Sequence, residues 1–170
     1  MPDHSLEHER KYLVLDDSVV RDTGEGTGIA QGYLPLHSGS YSVRVRLIPA
    51  NDLYQLAVKG ARRGISRLEQ ECSIPRLVAE TLLAACGDAV IDKTRYPVLG
   101  PDGRLWTIDV FHGLNQGLVL AEIELPSPND TPERPGWCGQ EVTQDERYYN
   151  EYLSARPFMT WPKPTEPKSS

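Results

Sequence analysis

The chain has 170 residues, with 18 Lys and Arg against 24 Asp and Glu, a formal net charge of -6 and 39% apolar residues. That length suits one domain burying roughly two-thirds of the surface its unfolded chain exposes, and the acidic total argues against non-specific binding to nucleic acid. The longest uncharged run, residues 26–43, is interrupted by Gly, Ser, Gln, His and Pro, far from the ~18 consecutive apolar residues of a membrane span.

In chain order, a period-2 alternation of apolar and polar residues predicts a strand over residues 6–15, another over 29–34 and a third over 41–49. The third is the cleanest, with Val43, Val45 and Leu47 on one parity and Ser42, Arg44 and Arg46 on the other. Strands follow over 53–59 and 67–73. The stretch from Pro75 to Cys86 then carries an apolar face of helical period, opens with Pro in its first turn and stops at Gly87. Strands resume over 89–99, 105–111 and 118–125, the first two joined by the turn Pro101-Asp102-Gly103. From Pro126 onward the composition changes, because eight of the fourteen prolines lie there. Residues 127–136 read as a loop, 144–155 as a short Tyr-rich helix and 157–170 as a loosely held tail beyond a domain of 1–156. The N-terminus opens into acidic residues, so no secretory signal is expected. The odd, widely spaced Cys72, Cys86 and Cys138 suit a reducing cytoplasm better than a disulfide or zinc scaffold. His4, His8, His37 and His112 lack the partners of a metal site.

The polar parity is unusual. Glu7, Glu9 and Lys11 share a face, as do Arg44 and Arg46, Glu69 and Glu71, Lys93 and Arg95, and Glu122 and Glu124, while Lys59 lies opposite Leu56 and Val58. A water-facing sheet would account for any one strand, but five strands carry two or three charges in register. Eight antiparallel strands can close into a barrel and so remove their unpaired edges. If the apolar parity packs outward under the helices, the charged parity lines the interior. Charges withdrawn from water cost several kcal/mol each unless paired or given a ligand. The matching guest is a polyanion carried with divalent metal: Lys and Arg take its oxygens, and clustered Glu oxygens suit Mg2+ or Mn2+. Asp109 alternates with Trp106, Ile108 and Val110, so it too is expected inside.

Glu7-His8-Glu9-Arg10-Lys11 near the N-terminus is an E-x-E-x-K strand. Further along come Gln31-Gly32-Tyr33-Leu34, Val43-Arg44-Val45-Arg46, Val58-Lys59, Arg67-Leu68-Glu69-Gln70-Glu71, Lys93-Thr94-Arg95-Tyr96, Ala121-Glu122-Ile123-Glu124, Gly139-Gln140-Glu141-Val142-Thr143 and Arg147-Tyr148 before Asn150. In this order the set resembles the CYTH superfamily, the triphosphate tunnel metalloenzymes, and most of all its short bacterial inorganic triphosphatases. The resemblance implies an α+β protein: an eight-stranded antiparallel barrel, closed or opened into a cup, with flanking helices. It implies a metal-dependent hydrolase of triphosphates, most of all inorganic tripolyphosphate. The alternatives are a CYTH-type adenylate cyclase, a thiamine or nucleoside triphosphatase, and a non-catalytic polyphosphate binder. By the same resemblance Glu7, Glu9, Glu69, Glu71, Glu122 and Glu124 hold Mg2+ or Mn2+, and Arg44, Arg46, Lys59, Lys93 and Arg95 cradle the phosphates. Lys11 and Tyr33 resemble a catalytic pair, and Asp109 either touches metal or pairs with a cation. The expected partner is a small-molecule triphosphate, with no nucleic acid or membrane, on a monomer or homodimer.

Overall fold

The structure, a computed structural model, describes residues 6–34 and 41–162. Its strands are β1 (Leu6–Val14), β2 (Thr27–Leu34), β3 (Tyr41–Ile48), β4 (Leu53–Gly60), β5 (Ser66–Ser73), β6 (Val90–Leu99), β7 (Leu105–Phe111), β8 (Val119–Glu124) and β9 (Cys138–Glu141), with helices α1 (Arg76–Ala85) and α2 (Asn150–Ala155). Each pairing is antiparallel, in the order β5-β4-β3-β2-β6-β7-β8-β1. Leu6, Glu7 and His8 of β1 then pair with Leu68, Arg67 and Ser66 of β5 and close the ring. The expected eight-stranded barrel is what the chain forms.

Two apolar layers lie on the outside of the ring. Val45, Leu47 and Tyr54 pack under α1 with Ala79, Leu82, Leu83 and Cys86. Tyr12, Trp106, Ile108, Ala121 and Ile123 form the other layer, against Val19, Val20 and Trp137. The helix lies tight on β2 because position 32 is glycine: a Cβ there would come within 2.6 Å of the Cys86 sulfur. Pro75 caps α1 rather than entering it, and Gly87, with φ of 58°, turns the chain away at the other end. The turn at 101–103 also forms as expected, with Gly103 at φ 77°.

The last part of the chain differs from its sequence reading in two ways. Residues 138–141 form a ninth strand beside the end of β1, too short among its prolines to show an alternation. The helix expected over 144–155 begins only at Asn150. The Asp145 carboxylate accepts the Arg147 N–H and caps a separate 3-10 turn over Glu146–Tyr148, and Tyr149 is extended. Together these segments stopper one end of the barrel: Val142, Tyr148, Leu153, Phe158 and Trp161 pack with Leu13, Ile91, Phe111, Leu118 and Leu120. Phe158 and Trp161 belong to the stretch expected as a tail, whose remainder from residue 163 lies outside the described residues, as do His4 and His37. The barrel is therefore a cup. Among the described residues no helix is long and apolar enough to cross a membrane.

Candidate active site

The inward parity of the strands opens into a cavity of about 920 Å³. Its wall includes Glu7, Glu9 and Lys11 from β1, Tyr33 from β2, Arg44 and Arg46 from β3, Lys59 from β4, Glu69 and Glu71 from β5, Arg95 from β6, and Glu122 and Glu124 from β8. Tyr149, Asn150 and Glu151 of the stopper join this lining. The convergence follows from register. Arg44 stands opposite Tyr33 and Arg46 opposite Gln31, Lys59 opposite Glu69, and Lys11 and Glu9 opposite Glu122 and Glu124.

One chain of alternating charge runs through half of the wall. Lys93 Nζ donates to Asp109 Oδ2 at 2.6 Å, and both side chains are wholly buried. Asp109 also accepts two bonds from Arg95, each 2.7 Å. The Arg95 guanidinium reaches on to Glu122 at 2.7 Å, and Glu122 accepts from Lys11. Lys11 pairs with Glu9 at 2.6 Å, and Glu9 with Arg62 at 3.2 Å. Burial opposes the charge on Lys11 and Glu122, and the neighbours reverse the balance: Glu122 and Glu9 hold the Lys11 ammonium above its usual range, while Lys11 and Arg95 hold Glu122 well below its own. Lys93 is the exception, drawn down by burial to about 8 despite Asp109.

The other half is less balanced. Arg44 reaches Glu69 at 3.2 Å and Glu71 at 2.7 Å, and Lys59 pairs with Glu69 and stands 3.9 Å from Glu7. Glu7 and Glu69 share a hydrogen bond, and burial followed by that bond lifts Glu7 to about 8. Glu69, whose own burial works the other way, is held at about 2 by the same bond and by Lys59. The bond between them thus drives the two carboxyl groups in opposite directions, Glu7 up and Glu69 down. Arg46 has no carboxylate within ion-pair distance among the described residues; its Nε donates to Gln31 Oε1 at 3.1 Å. Enclosure, then the neighbouring Arg44 and Arg95, pull its pKa down to about 10. It is a cation held among cations. Tyr33 accepts a bond from Gln31 at 3.3 Å, and burial raises its hydroxyl pKa, so the group stays protonated and able to donate.

Of the residues singled out from the sequence, all line the cavity except Lys93 and Asp109, which lie behind its wall as the support of Arg95. Asp109 is engaged by cations from both sides. Arg62, Arg67, Tyr149, Asn150 and Glu151 also line the cavity. Arg67 opens the β5 alternation, where its parity alone allows either the site or a solvent-facing strand end, and Arg62 sits in the turn after β4, where no alternation points inward. His8 bonds Ser66 and His112 bonds Thr94, each at 2.8 Å.

No family model matches the sequence. The chain is 42% identical over 156 residues to the inorganic triphosphatase of Acetivibrio thermocellus, covering 91% of this chain and 97% of that protein. The chain belongs to the inorganic triphosphatase family. The inorganic triphosphatase of Nitrosomonas europaea is 36% identical over 152 residues, covering 87% of this chain and 96% of that one. The crystal structure of the inorganic triphosphatase NE1496 superposes with a TM-score of 0.62 at 34% identity, covering 87% of this chain and 93% of that one. A Hippeastrum adenylyl cyclase candidate with a dominant triphosphatase activity shares only the fold, at 13% identity and a TM-score of 0.55 over 72% of this chain and 80% of that one.

The donor set of this triphosphatase chain fits a hard divalent cation. Glutamate oxygens from β1, β5 and β8 face one cavity, the ligand type that hard divalent cations take. With protein groups alone, most of these carboxylates turn to Lys or Arg, and among the described residues no three acidic, His or Cys side chains converge as a preformed metal cluster.

Proposed function

We propose that this triphosphatase hydrolyses inorganic tripolyphosphate to pyrophosphate and phosphate with Mg2+ or Mn2+. The observation that carries this reading is Arg46, a guanidinium inside the cup with cations for neighbours and, among the described residues, no carboxylate within ion-pair distance. Such a group is stabilised by an incoming polyanion.

Arg44, Arg46, Lys59 and Arg95 take the phosphate oxygens, leaving the terminal phosphorus open to in-line attack by water. As the water oxygen bonds to phosphorus, its proton passes to solvent in the open cup. The bridging P–O bond breaks, and its electrons pass to the departing pyrophosphate, whose growing charge Arg44, Arg46 and Lys59 stabilise while Arg95 holds the chain in place. Lys11, fixed between Glu9 and Glu122 and kept protonated, acts as a stationary cation and not as a base. Tyr33 donates a hydrogen bond from its hydroxyl to a phosphate oxygen. Glu7, Glu9, Glu69, Glu71, Glu122 and Glu124 supply the oxygens for the divalent cation, which when bound neutralises phosphate charge and acidifies the attacking water.

The test is phosphate release from tripolyphosphate, ATP, thiamine triphosphate and pyrophosphate with Mg2+ or Mn2+, with cyclic AMP scored alongside. Tripolyphosphate is expected to be cleaved fastest, with no turnover in chelator and no cyclic AMP. Glu9→Gln should lower turnover by at least about a hundredfold with the barrel still folded by circular dichroism. Full activity in that folded variant would remove Glu9 from the mechanism, and cyclic AMP as the main product from ATP would overturn the reading.

A further inference from the structure

The charge chain that begins at Lys93 and ends at Arg62 has both ends tied to neighbouring residues of the stopper. Lys93 Nζ donates to Asn150 Oδ1 at 3.1 Å, and the Arg62 guanidinium lies 4.5 Å from the centre of the Tyr149 ring. Tyr149 is itself fixed by a 3.0 Å bond from its hydroxyl to the Thr143 carbonyl. The next residue, Glu151, reaches Arg67 at 3.6 Å. Three consecutive residues therefore each hold one cation from a different segment of the barrel.

Asn150 has the most consequential partner. An ammonium carries three donors. Lys93 is wholly buried, and one of its donors goes to Asp109 and a second to Asn150. Asp109 Oδ2 is already shared between Lys93 and Arg95. If the amide oxygen were lost, the hydrogen-bond acceptor left to the ammonium among the described residues would be that carboxylate, in competition with the guanidinium, with the Phe111 ring 5.4 Å away offering no more than its face. Arg95 spends Nε and Nη2 on Asp109 and Glu122, so Nη1 is the part of its fork left for a ligand among the described residues. The direction of that fork is set by Asp109.

We propose that Asn150 is a positioning residue of this site: by accepting one N–H of Lys93 it keeps Asp109 for Arg95, and thereby keeps the Arg95 guanidinium aimed at the phosphate chain. The stopper is then a working part of the cup as well as its closure. This rests on the triphosphatase reading above.

A bond that serves ground-state binding appears in KM more than in kcat. Asn150→Ala is therefore expected to raise KM for tripolyphosphate about tenfold or more, the worth of a hydrogen bond to a charged group, with kcat per folded molecule changed less than about threefold. Asn150→Asp, which keeps an oxygen acceptor in the same place, should bring KM back to within about threefold of the parent. Isothermal titration of the metal-free variants with tripolyphosphate should rank them in the same order. A side chain that merely braces the stopper would lower the melting temperature and the active fraction while KM stayed put. Asn150→Leu, of similar volume but without the acceptor, answers the same question if the alanine variant does not fold. A KM within about twofold of the parent in the folded Ala or Leu variant, or an Asp variant as impaired as Ala, overturns the proposal. If the parent cleaves no tripolyphosphate, the functional reading falls and takes this one with it; an active parent with an indifferent Asn150 sinks this one alone.

Discussion

Arg46→Met is expected to lower kcat/KM for tripolyphosphate by about 10²–10³-fold while raising the melting temperature of the free protein by about 2–4 °C. The two effects have one cause. Arg46 stands among like charges, with Arg44 and Arg95 the main electrostatic influences after its own enclosure, and its one hydrogen bond to a described residue goes to the neutral Gln31. The fold pays for this cation without return until a polyanion arrives. Methionine keeps much of the length of the side chain and removes the repulsion. The measurement is a melting curve with and without tripolyphosphate, beside steady-state kinetics. The parent should gain stability from the ligand by mass action, and the variant should gain little at the same concentration. A variant that melts lower and binds tripolyphosphate as well as the parent would show that Arg46 is structural.

The largest loss of stability is expected at Asp109. This carboxylate is wholly buried, holds the buried Lys93 and accepts both arms of Arg95. Asp109→Ala strands those cations, a change that costs about 3–5 kcal/mol and lowers the melting temperature by roughly 6–20 °C in a chain of this size. Activity should fall with it, since Arg95 loses its guide. The same site gives the protein an acid-labile component. Burial by itself would raise the Asp109 pKa, but Lys93 and Arg95 bring it below the ordinary 3.8. With the folded value below the unfolded one, the stabilisation is complete above the unfolded pKa and is lost as the pH falls through the folded one. Urea unfolding between about pH 6 and pH 2 reads it: Asp109→Asn should start less stable and show a shallower decline. Equal slopes for parent and variant would mean that Asp109 carries none of the acid dependence.

Much of this was legible before any coordinates, for a physical reason. Strand parity is binary, so once Val43, Val45 and Leu47 are known to face the outer apolar layer, Arg44 and Arg46 have only the interior left. The same logic placed Glu7, Glu9, Glu122 and Glu124. Parity says which face a side chain takes, but not how deep it lies or what stands in front of it. Lys93 and Arg95 therefore looked equivalent, although only Arg95 reaches the cavity and Lys93 is sealed behind it. Arg62 reaches the wall from a turn, and Tyr149 and Asn150 from the stopper, where no alternation exists to be read. Asn150 was visible as part of the resemblance without any role attached. Its partner lies 57 residues away in sequence, a pairing only the packed stopper brings about.

Crystals soaked with tripolyphosphate and Mn2+ test the central claim most directly, because manganese announces its position by anomalous scattering. The account predicts an anomalous peak inside the cup beside the glutamates of β1 and β8, with the phosphate chain lying against Arg44, Arg46 and Arg95. Manganese and phosphate bound only on the outer face of the barrel, with the cup still closed by its own ion pairs, would contradict it.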